Sequence, residues 1–187
     1  MFMEQGFDAT SMDRLAEAAS VGKATLYARY RDKGALFADV LRRRILQVYG
    51  SLEEELLRSV RSASLEDALL QVALRLLEKS LTPESIALGR ILSAQGPRFP
   101  ELGELAAKEG LSRQLRLVER VLARFEGENA FTIDIPLAAD LFISLVVGRV
   151  TRLAMLGVPT EPEAMMVRTE KAVALFLRGL RAGPETQ

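Results

Sequence analysis

The sequence predicts an all-α protein in which an N-terminal unit of three helices precedes a larger helical domain. Apolar residues recur at spacings of three and four along most of the chain, which is the pattern of helices with one buried face. Helix-ending residues such as the pair Gly96-Pro97 separate these periodic segments. With 187 residues, 49% of them hydrophobic, the chain is long enough to bury a substantial core.

The first two predicted helices lie in residues 6–30 and are joined by a tight turn. Thr10 or Ser11 is placed to cap the first helix, because a side-chain oxygen there accepts an unpaired backbone N–H. The turn ends at Gly22, and the second helix spans residues 23–30. Apolar residues of the first helix recur at helical spacing: Met12, Leu15, Ala16 and Ala19.

The third predicted helix begins after Asp32, whose carboxylate is placed to cap it. Its apolar stripe runs from Phe37 to Val60, so a helix of roughly 40 Å is expected between Lys33 and about Arg61. Two short helices, a tight turn and a supporting third helix make a helix-turn-helix. In that arrangement the second helix lies in the major groove of DNA.

Positive charge is concentrated in the same segment. Between Gly22 and Ile45 there are seven basic and two acidic residues, a local charge of +5 in a chain whose formal net charge is zero. Such a patch suits DNA phosphates, whereas the neutral total argues against a general nucleic-acid coat protein. Tyr27 and Tyr30 add hydroxyls and rings that can contact phosphate, sugar and thymine methyl groups. For Arg42–Arg44, further along the third helix, a solvated face is favoured over direct contact.

This segment resembles the DNA-binding domain of the TetR family of bacterial transcriptional repressors. The matching motifs are G-F-x-A-T-S-M at 6–12, L-A-x-x-A at 15–19, V-x-K-x-T-L-Y-x-x-Y at 21–30 and K-x-x-L-F at 33–37. The resemblance implies that the residues contacting DNA are Thr10, Ser11, Gly22, Lys23, Ala24, Thr25, Tyr27, Arg29, Tyr30 and Lys33.

Two positions depart from the family pattern. Gly22 stands where the family most often has Ser, so a hydroxyl contact is lost although Gly remains an acceptable cap. Ala24 stands where Gly is frequent.

The start of the chain also departs from the family, which has a longer first helix preceded by a basic arm. Only MFMEQ precedes the first motif, so we expect a first helix of about one turn, too short to be stable alone. A start upstream of Met1 is favoured over a naturally trimmed domain. Phe2 and Met3 are then expected to end an apolar face that packs on Leu15 and Leu36.

Caps and breaks divide the rest of the chain into helices. Ser64 begins a capping box, Thr82-Pro83 places Pro at the first helical position, and Asp134 or the following Ile-Pro starts a strongly apolar helix. Thr160 is expected to cap the last helix. The predicted helices run from 65 through 77, 83 to 95, 101 to 125 with a candidate break near Gly110, 135 to 155, and 161 to 181.

Residues 82–102 contain a P-R-F-P-E-L element and resemble the body domain of the AefR-like branch of this family, in which the element joins two helices. The branch often regulates efflux or envelope genes, but nothing in these residues identifies a target. Together the two resemblances imply a helix-turn-helix DNA-binding domain at 1–41 and a helical ligand-binding and dimerisation domain at 42–187.

The last two helices predict a dimer interface, because they are apolar nearly all round and contiguous exposed apolar surface marks an interface. The alternative is that both helices are simply core. A two-fold dimer places its recognition helices ~34 Å apart and therefore requires a palindromic site. The predicted interface residues are Leu141, Leu145, Arg149, Arg152, Val173, Phe176 and Leu180.

Arg90, Arg149 and Arg152 lie on apolar helices of the body, where a buried guanidinium needs a partner. A salt bridge within or between subunits is favoured, and an anionic group of a ligand is the alternative. By analogy with the family, a small-molecule pocket is expected among the middle helices, lined by Arg90, Ile91, Leu117, Val121 and Phe142.

Composition excludes several classes of site. The chain has no His and no Cys, which excludes disulfides, a Cys nucleophile, a His general base and the usual zinc sites. The sequence has no Gly-rich phosphate loop, no signal peptide and no apolar run near the ~18 residues of a membrane span. We therefore expect a cytoplasmic protein without cofactor, metal, membrane partner or enzymatic activity.

The sequence thus predicts a homodimeric transcriptional repressor that a small-molecule ligand releases from a palindromic operator. An activator fits as well, because the sign of regulation depends on where the operator lies. The alternative from another class is a small-molecule-binding protein whose DNA head no longer functions, which the short first helix and Gly22 keep open.

Overall fold

The computed structural model describes residues 1–50, 64–128 and 131–181, and these residues are helical throughout except for turns and loops. The first four helices are α1 (Phe2–Gln5), α2 (Met12–Ala18), α3 (Lys23–Arg29) and α4 (Lys33–Tyr49). The body contains α5 (Leu65–Ser80), α6 (Pro83–Gln95), α7 (Pro100–Ala106), α8 (Ser112–Phe125), α9 (Ile135–Ile143), α10 (Arg149–Met155) and α11 (Pro162–Arg181). The predicted continuation of α4 to Arg61 falls largely in 51–63, outside the described residues.

Side-chain caps begin five of the eleven α-helices given above, each at a predicted position. At each cap a side-chain oxygen accepts the backbone N–H three residues later, which satisfies a donor that the helix itself cannot. Ser11 rather than Thr10 caps α2, and the last helix begins at Pro162, where the Glu161 carbonyl accepts the Met165 N–H, instead of at a Thr160 cap. The side-chain caps are Ser11, Asp32, Ser64, Thr82 and Asp134.

Two long body helices each contain a π-helical segment. Residues Ala107–Leu111 join α7 to α8 where a break was predicted, and Ser144–Gly148 join α9 to α10 where an unbroken α-helix was predicted. The guanidinium of Arg168 donates to the carbonyls of Leu145 at 2.8 Å and Val146 at 3.2 Å, which ties α11 to the second π segment.

The buried apolar residues form two clusters. One, the body core, packs α5, α8, α9, α10 and α11 together around Phe142, Leu69 and Leu117. The other, the head core, is built mainly from α1 to α4 around the fully buried Phe37. Leu88 of α6 and Leu102 of α7 also belong to the head core, so the N-terminal unit shares its interior with the body.

The short first helix is consistent with the expected one turn. Phe2 is buried, and its ring lies 5.1 Å from the Phe37 ring centroid in an edge-to-face arrangement. Phe7 joins the same aromatic cluster. Among the described residues, no helix is long and apolar enough to cross a membrane.

Candidate nucleic-acid interface and internal cavity

Helix α3 is held against the rest of the head by one residue and presents the others to solvent. Leu26 is its single buried residue and packs in the head core with Met12 and Ala16 of α2. The turn before it contains Ser20 in the left-handed region, at φ 53°, a conformation that costs free energy for a residue other than Gly. The exposed residues of α3 are Lys23, Ala24, Thr25, Tyr27, Ala28 and Arg29.

The exposed face of α3 combines cations, a hydroxyl and an aromatic ring. Tyr27 is 51% exposed, so its ring and hydroxyl are available to a partner. Lys23 forms an ion pair with Asp13 at 2.7 Å, but both side chains are more than half exposed, so this pair contributes little free energy and can be exchanged for a phosphate. Gly22 caps α3 without a side-chain hydrogen bond, as its residue type dictates.

A hydrogen-bonded chain of side chains follows α3. The Tyr30 hydroxyl donates to Asp39 at 2.6 Å and accepts from the guanidinium of Arg29 at 3.3 Å, while Arg43 pairs with the same carboxylate at 3.1 Å. The hydrogen bond from Tyr30 holds the pKa of Asp39 below its ordinary value. Hydrogen bonding to Tyr30 raises the pKa of Arg29 further above its ordinary value, so Arg29 remains a cation.

The structure corrects two of the predicted DNA contacts. Thr10 is buried, and its hydroxyl donates to the Gly6 carbonyl at 2.8 Å. The ammonium of Lys33 donates to the carbonyls of Phe7 and Thr10, both at 2.9 Å, and lies 4.3 Å from the centroid of the Phe7 ring. The Thr10 hydroxyl thus bonds within the loop after α1, and Lys33 ties that loop to α4 by satisfying two of its partly buried carbonyls.

The body contains a cavity of about 390 Å³ between α4, α5, α6 and the two π-containing helices. Among the described residues that line it, none is charged. Four of its polar side chains make no side-chain hydrogen bond to another described residue: Tyr49, Ser80, Gln114 and Ser144. Burial raises the pKa of Tyr49, so its phenol is neutral at physiological pH. A volume and lining of this kind suit a small organic molecule.

Comparisons with known proteins agree with this architecture. Residues 1–40 match the model of bacterial regulatory proteins of the tetR family, and residues 67–181 match the C-terminal domain of AefR-like transcriptional repressors. The chain belongs to the TetR family of transcriptional regulators. Regulators of this family are DNA-binding proteins without enzymatic activity.

Solved structures of TetR-family regulators superimpose on nearly the whole chain. A regulator from Mesorhizobium loti MAFF303099 is 26% identical with a TM-score of 0.80, covering 97% of this chain and 91% of that one. The flavonoid-responsive regulator FrrA is 33% identical with a TM-score of 0.72, covering 99% of this chain and 92% of that one. The regulator FadR of Bacillus subtilis, 17% identical with a TM-score of 0.63 over 96% of this chain and 93% of that one, shares the fold. A comparison with curated protein sequences finds no match.

The cavity of this TetR-family chain is not lined by the residues predicted for it. Leu117, Val121 and Phe142 are buried in the body core, and Ile91 packs on the head core. Arg90 is exposed and donates to the carbonyls of Met155 at 2.6 Å and Ala154 at 3.1 Å, which caps the end of α10.

The predicted lining rested on family analogy alone, which does not determine the face that each helix turns to the cavity. Gly110 in the first π segment and Gln114 in α8 face the cavity, while Leu117 of α8 is buried in the body core. The sequence signal for the cavity was glycine within helical patterns, because glycine inside a helix is unfavourable without a local reason. Three such glycines line the cavity: Gly89, Gly110 and Gly148.

The predicted dimer residues divide into two groups. Val173, Phe176 and Leu180 are buried within the protomer against the body core, where Phe176 lies 5.1 Å from Phe142, so they form no free surface for a partner. Leu141, Arg149 and Arg152 are exposed, and Leu145 is half-buried. Other apolar residues of α11 are exposed: Met166, Val167 and Leu175.

Proposed function

We propose that this protein is a homodimeric repressor that binds a palindromic operator through α3 and is released by a small molecule bound in the cavity. The observation that carries the proposal is the wholly exposed outer face of α3, with a tyrosine, a threonine and two cations, in a chain of the TetR family. We further propose a division into a DNA-binding head at 1–41 and a regulatory body at 42–187, with residues of both in the head core.

In this proposal α3 enters the major groove with Lys23, Thr25 and Tyr27 toward base edges and phosphates. Ser11 and Gly22 stand at the N-termini of α2 and α3, where unpaired backbone N–H groups favour phosphate oxygens. The remaining exposed positions, Ala24 and Arg29, complete the surface, while Tyr30 acts by holding Arg29 and Asp39 in place.

The two-fold partner is proposed to dock on the outer faces of α9, α10 and α11. Leu137, Leu141, Val167 and Leu175 are each between 46 and 55% exposed in the protomer. Exposed apolar side chains on neighbouring helices form the kind of surface that a subunit interface covers. Regulators of this family function as dimers.

Anisotropy of fluorescent DNA tests the DNA half of the proposal. The DNA is the segment upstream of the gene, and the strongest sequence from an in vitro selection on random DNA serves as a second probe. Wild-type protein is expected to bind with steep salt dependence, and Tyr27→Ala is expected to weaken binding about tenfold or more through lost base and phosphate contacts. Arg75→Ala, an exposed arginine on α5, is the matched control and should bind like wild type.

Failure of the selection to enrich any sequence would contradict this half of the proposal. If such a protein nevertheless bound a small molecule in the cavity, the second candidate function would hold: a ligand-binding protein with a non-functional head. The cavity itself motivates that candidate.

The ligand is proposed to be uncharged and largely apolar, with several hydrogen-bonding groups. An ionised group in the cavity would be desolvated without an opposite charge among the described lining residues. Tyr49, Ser80, Gln114 and Ser144 offer partners for hydroxyls or carbonyls. A phenolic compound of the flavonoid class has this chemistry, and the similar regulator FrrA is described as flavonoid-responsive.

Isothermal titration with the flavanone naringenin tests this assignment. Binding is expected with wild type and to weaken about tenfold in Gln114→Leu, since one hydrogen bond in a buried site is lost with little change of shape. Gln71→Leu, on α5 away from the cavity, is the matched control. Binding that Gln114→Leu leaves unchanged, or no binding at millimolar concentration, would contradict the assignment.

A further inference from the structure

The P-R-F-P-E-L element forms the turn between α6 and α7 and rests on the DNA head. The turn is rigid, because the backbone N–H groups of Arg98 and Phe99 both donate to the Gln95 carbonyl at 3.0 Å and Leu102 donates back to Phe99 at 3.0 Å. Its two central side chains, Arg98 and Phe99, point away from the body core and contact residues of the head.

Phe99 packs into the aromatic cluster of the head core. Its ring centroid lies 5.4 Å from that of Phe7 and 5.1 Å from that of Phe37. The ring also borders Gly34 in the first turn of α4, at a distance of 3.5 Å from the position that a Cβ atom would take there. Phe99 therefore contacts both the loop after α1 and the start of α4.

Arg98 adds a charged contact to the same loop. Its guanidinium carbon lies 4.4 Å from the Phe7 ring centroid, and one of its nitrogens lies 3.6 Å from a carboxylate oxygen of Asp8. Lys33 places a second cation 4.3 Å from the Phe7 ring centroid. Phe7 is thus held by cations from the head and from the body at once, each a favourable cation–π contact.

The helices on both sides of the turn also line the cavity. On α6, Ser85, Ile86 and Gly89 border the cavity, while Leu88 is buried in the head core. On α7, Ala106 borders the cavity and packs on the head core as well. Any displacement of these helices by an occupant of the cavity therefore moves the turn and its contacts with the head.

We propose that Arg98 and Phe99 are positioning residues that set the orientation of the DNA head and transmit occupation of the cavity to it. This inference rests on the proposed function, since it assigns a regulatory route to the proposed ligand cavity. The route runs through the α6–α7 turn to Phe7 and to the first turns of α4. A small displacement of α6 or α7 is transmitted to the head, because closely packed side chains have few alternative arrangements that could absorb it.

The test measures the distance between head and body without requiring a ligand, an operator or a dimer. The chain has no Cys, so Glu17→Cys on α2 and Glu66→Cys on α5 supply two exposed sites for spin labels. Doubly labelled protein diluted into an excess of unlabelled protein gives the distance within one protomer by pulsed dipolar spectroscopy. Val147→Phe, a substitution at a residue that lines the cavity, serves as a permanent occupant.

Three results are expected. Val147→Phe shifts the distance peak by on the order of 2 Å, the scale of helix shifts in regulatory transitions. Arg98→Gln loses the cation–π contact and the ion pair, which raises the population of the displaced head by roughly five- to tenfold. The distance distribution of Arg98→Gln is therefore broader than that of wild type, and adding Val147→Phe to it shifts the peak by at most half as much as in wild type. Arg98→Lys restores part of the shift, and Arg75→Gln, an exposed arginine on α5, behaves as wild type.

Circular dichroism and thermal melting of each variant confirm that the fold is retained, and Phe99→Leu supplies a second, apolar perturbation of the same turn. The proposal is wrong if Arg98→Gln and Phe99→Leu both leave the distance distribution and the Val147→Phe shift unchanged. It is also wrong if Val147→Phe moves nothing in the wild-type background. Either result leaves the proposed function standing, because that function is tested separately by DNA and ligand binding.

Discussion

Two lysines of the head separate a structural role from a DNA-contacting one. Lys33 donates to the carbonyls of Phe7 and Thr10 at 2.9 Å and lies over the Phe7 ring, whereas Lys23 is exposed and forms an ion pair with Asp13. We therefore predict opposite phenotypes for Lys33→Met and Lys23→Met. Methionine keeps the unbranched stem in both variants and removes the charge and the donors.

The magnitude for Lys33→Met follows from its contacts. Hydrogen bonds from a charged donor contribute about 1.5–3 kcal/mol each, and a partly buried cation–π contact contributes about 1 kcal/mol. Because Lys33 is only half-buried, water replaces part of this, and we expect a loss of about 3 kcal/mol in the free energy of unfolding. For a chain of this length that corresponds to a decrease in Tm of about 6–12 °C.

For Lys23→Met the exposed ion pair contributes at most about 1 kcal/mol, so the Tm changes by no more than about 4 °C. Its affinity for operator DNA falls about tenfold, and the slope of log affinity against log salt decreases by about 1, as for one lost phosphate contact. Thermal melting and anisotropy titrations at several salt concentrations measure both quantities. A stable Lys33→Met protein with a reduced salt slope would refute this reasoning, since Lys33 would then be a phosphate contact.

Three further predictions follow from burial and charge. Leu141→Asp is expected to convert the dimer to a monomer of 20.6 kDa by light scattering, whereas Val158→Asp, similarly exposed in the loop after α10, is expected to remain dimeric. Phe176→Ala is expected to lose about 3–5 kcal/mol of stability while the folded protein stays dimeric in the same measurement, because Phe176 is core. The pKa of Asp39 is lowered by Tyr30, so its contribution to stability is present above pH 3.8 and is lost as pH falls through the lowered pKa. Asp39→Asn should therefore lower the Tm at pH 7, and the difference from wild type should disappear in acid; an equal difference at both pH values would contradict this assignment.

Features set by residues close together in sequence were predictable. The caps at Asp32 and Thr82 act on N–H groups three residues away, so the sequence pattern contains both partners. The placement of α3 followed from the same kind of local information, because Leu26 is its one apolar anchor and the flanking turn residues fix its length.

Features that depend on distant partners were not predictable. Lys33 was expected to face phosphate because it begins α4, but its acceptors lie 23 and 26 residues earlier in the chain. The lining of the cavity was expected by family analogy, but it is built from residues as distant in sequence as Tyr49 and Met155, so no local pattern contains it. In α11, apolar residues occur on both faces, and only packing distinguishes the buried Val173 from the exposed Leu175.

The central claim is that two recognition helices related by a two-fold axis bind an inverted repeat. Its most direct test measures operator affinity as base pairs are inserted one at a time between the two half-sites of the selected sequence. We predict one preferred spacing, with affinity falling at least a hundredfold at an insertion of about 5 base pairs, since half a helical turn places one half-site on the opposite side of the DNA. An affinity that is independent of spacing, or a selected sequence without an inverted repeat, would contradict the claim.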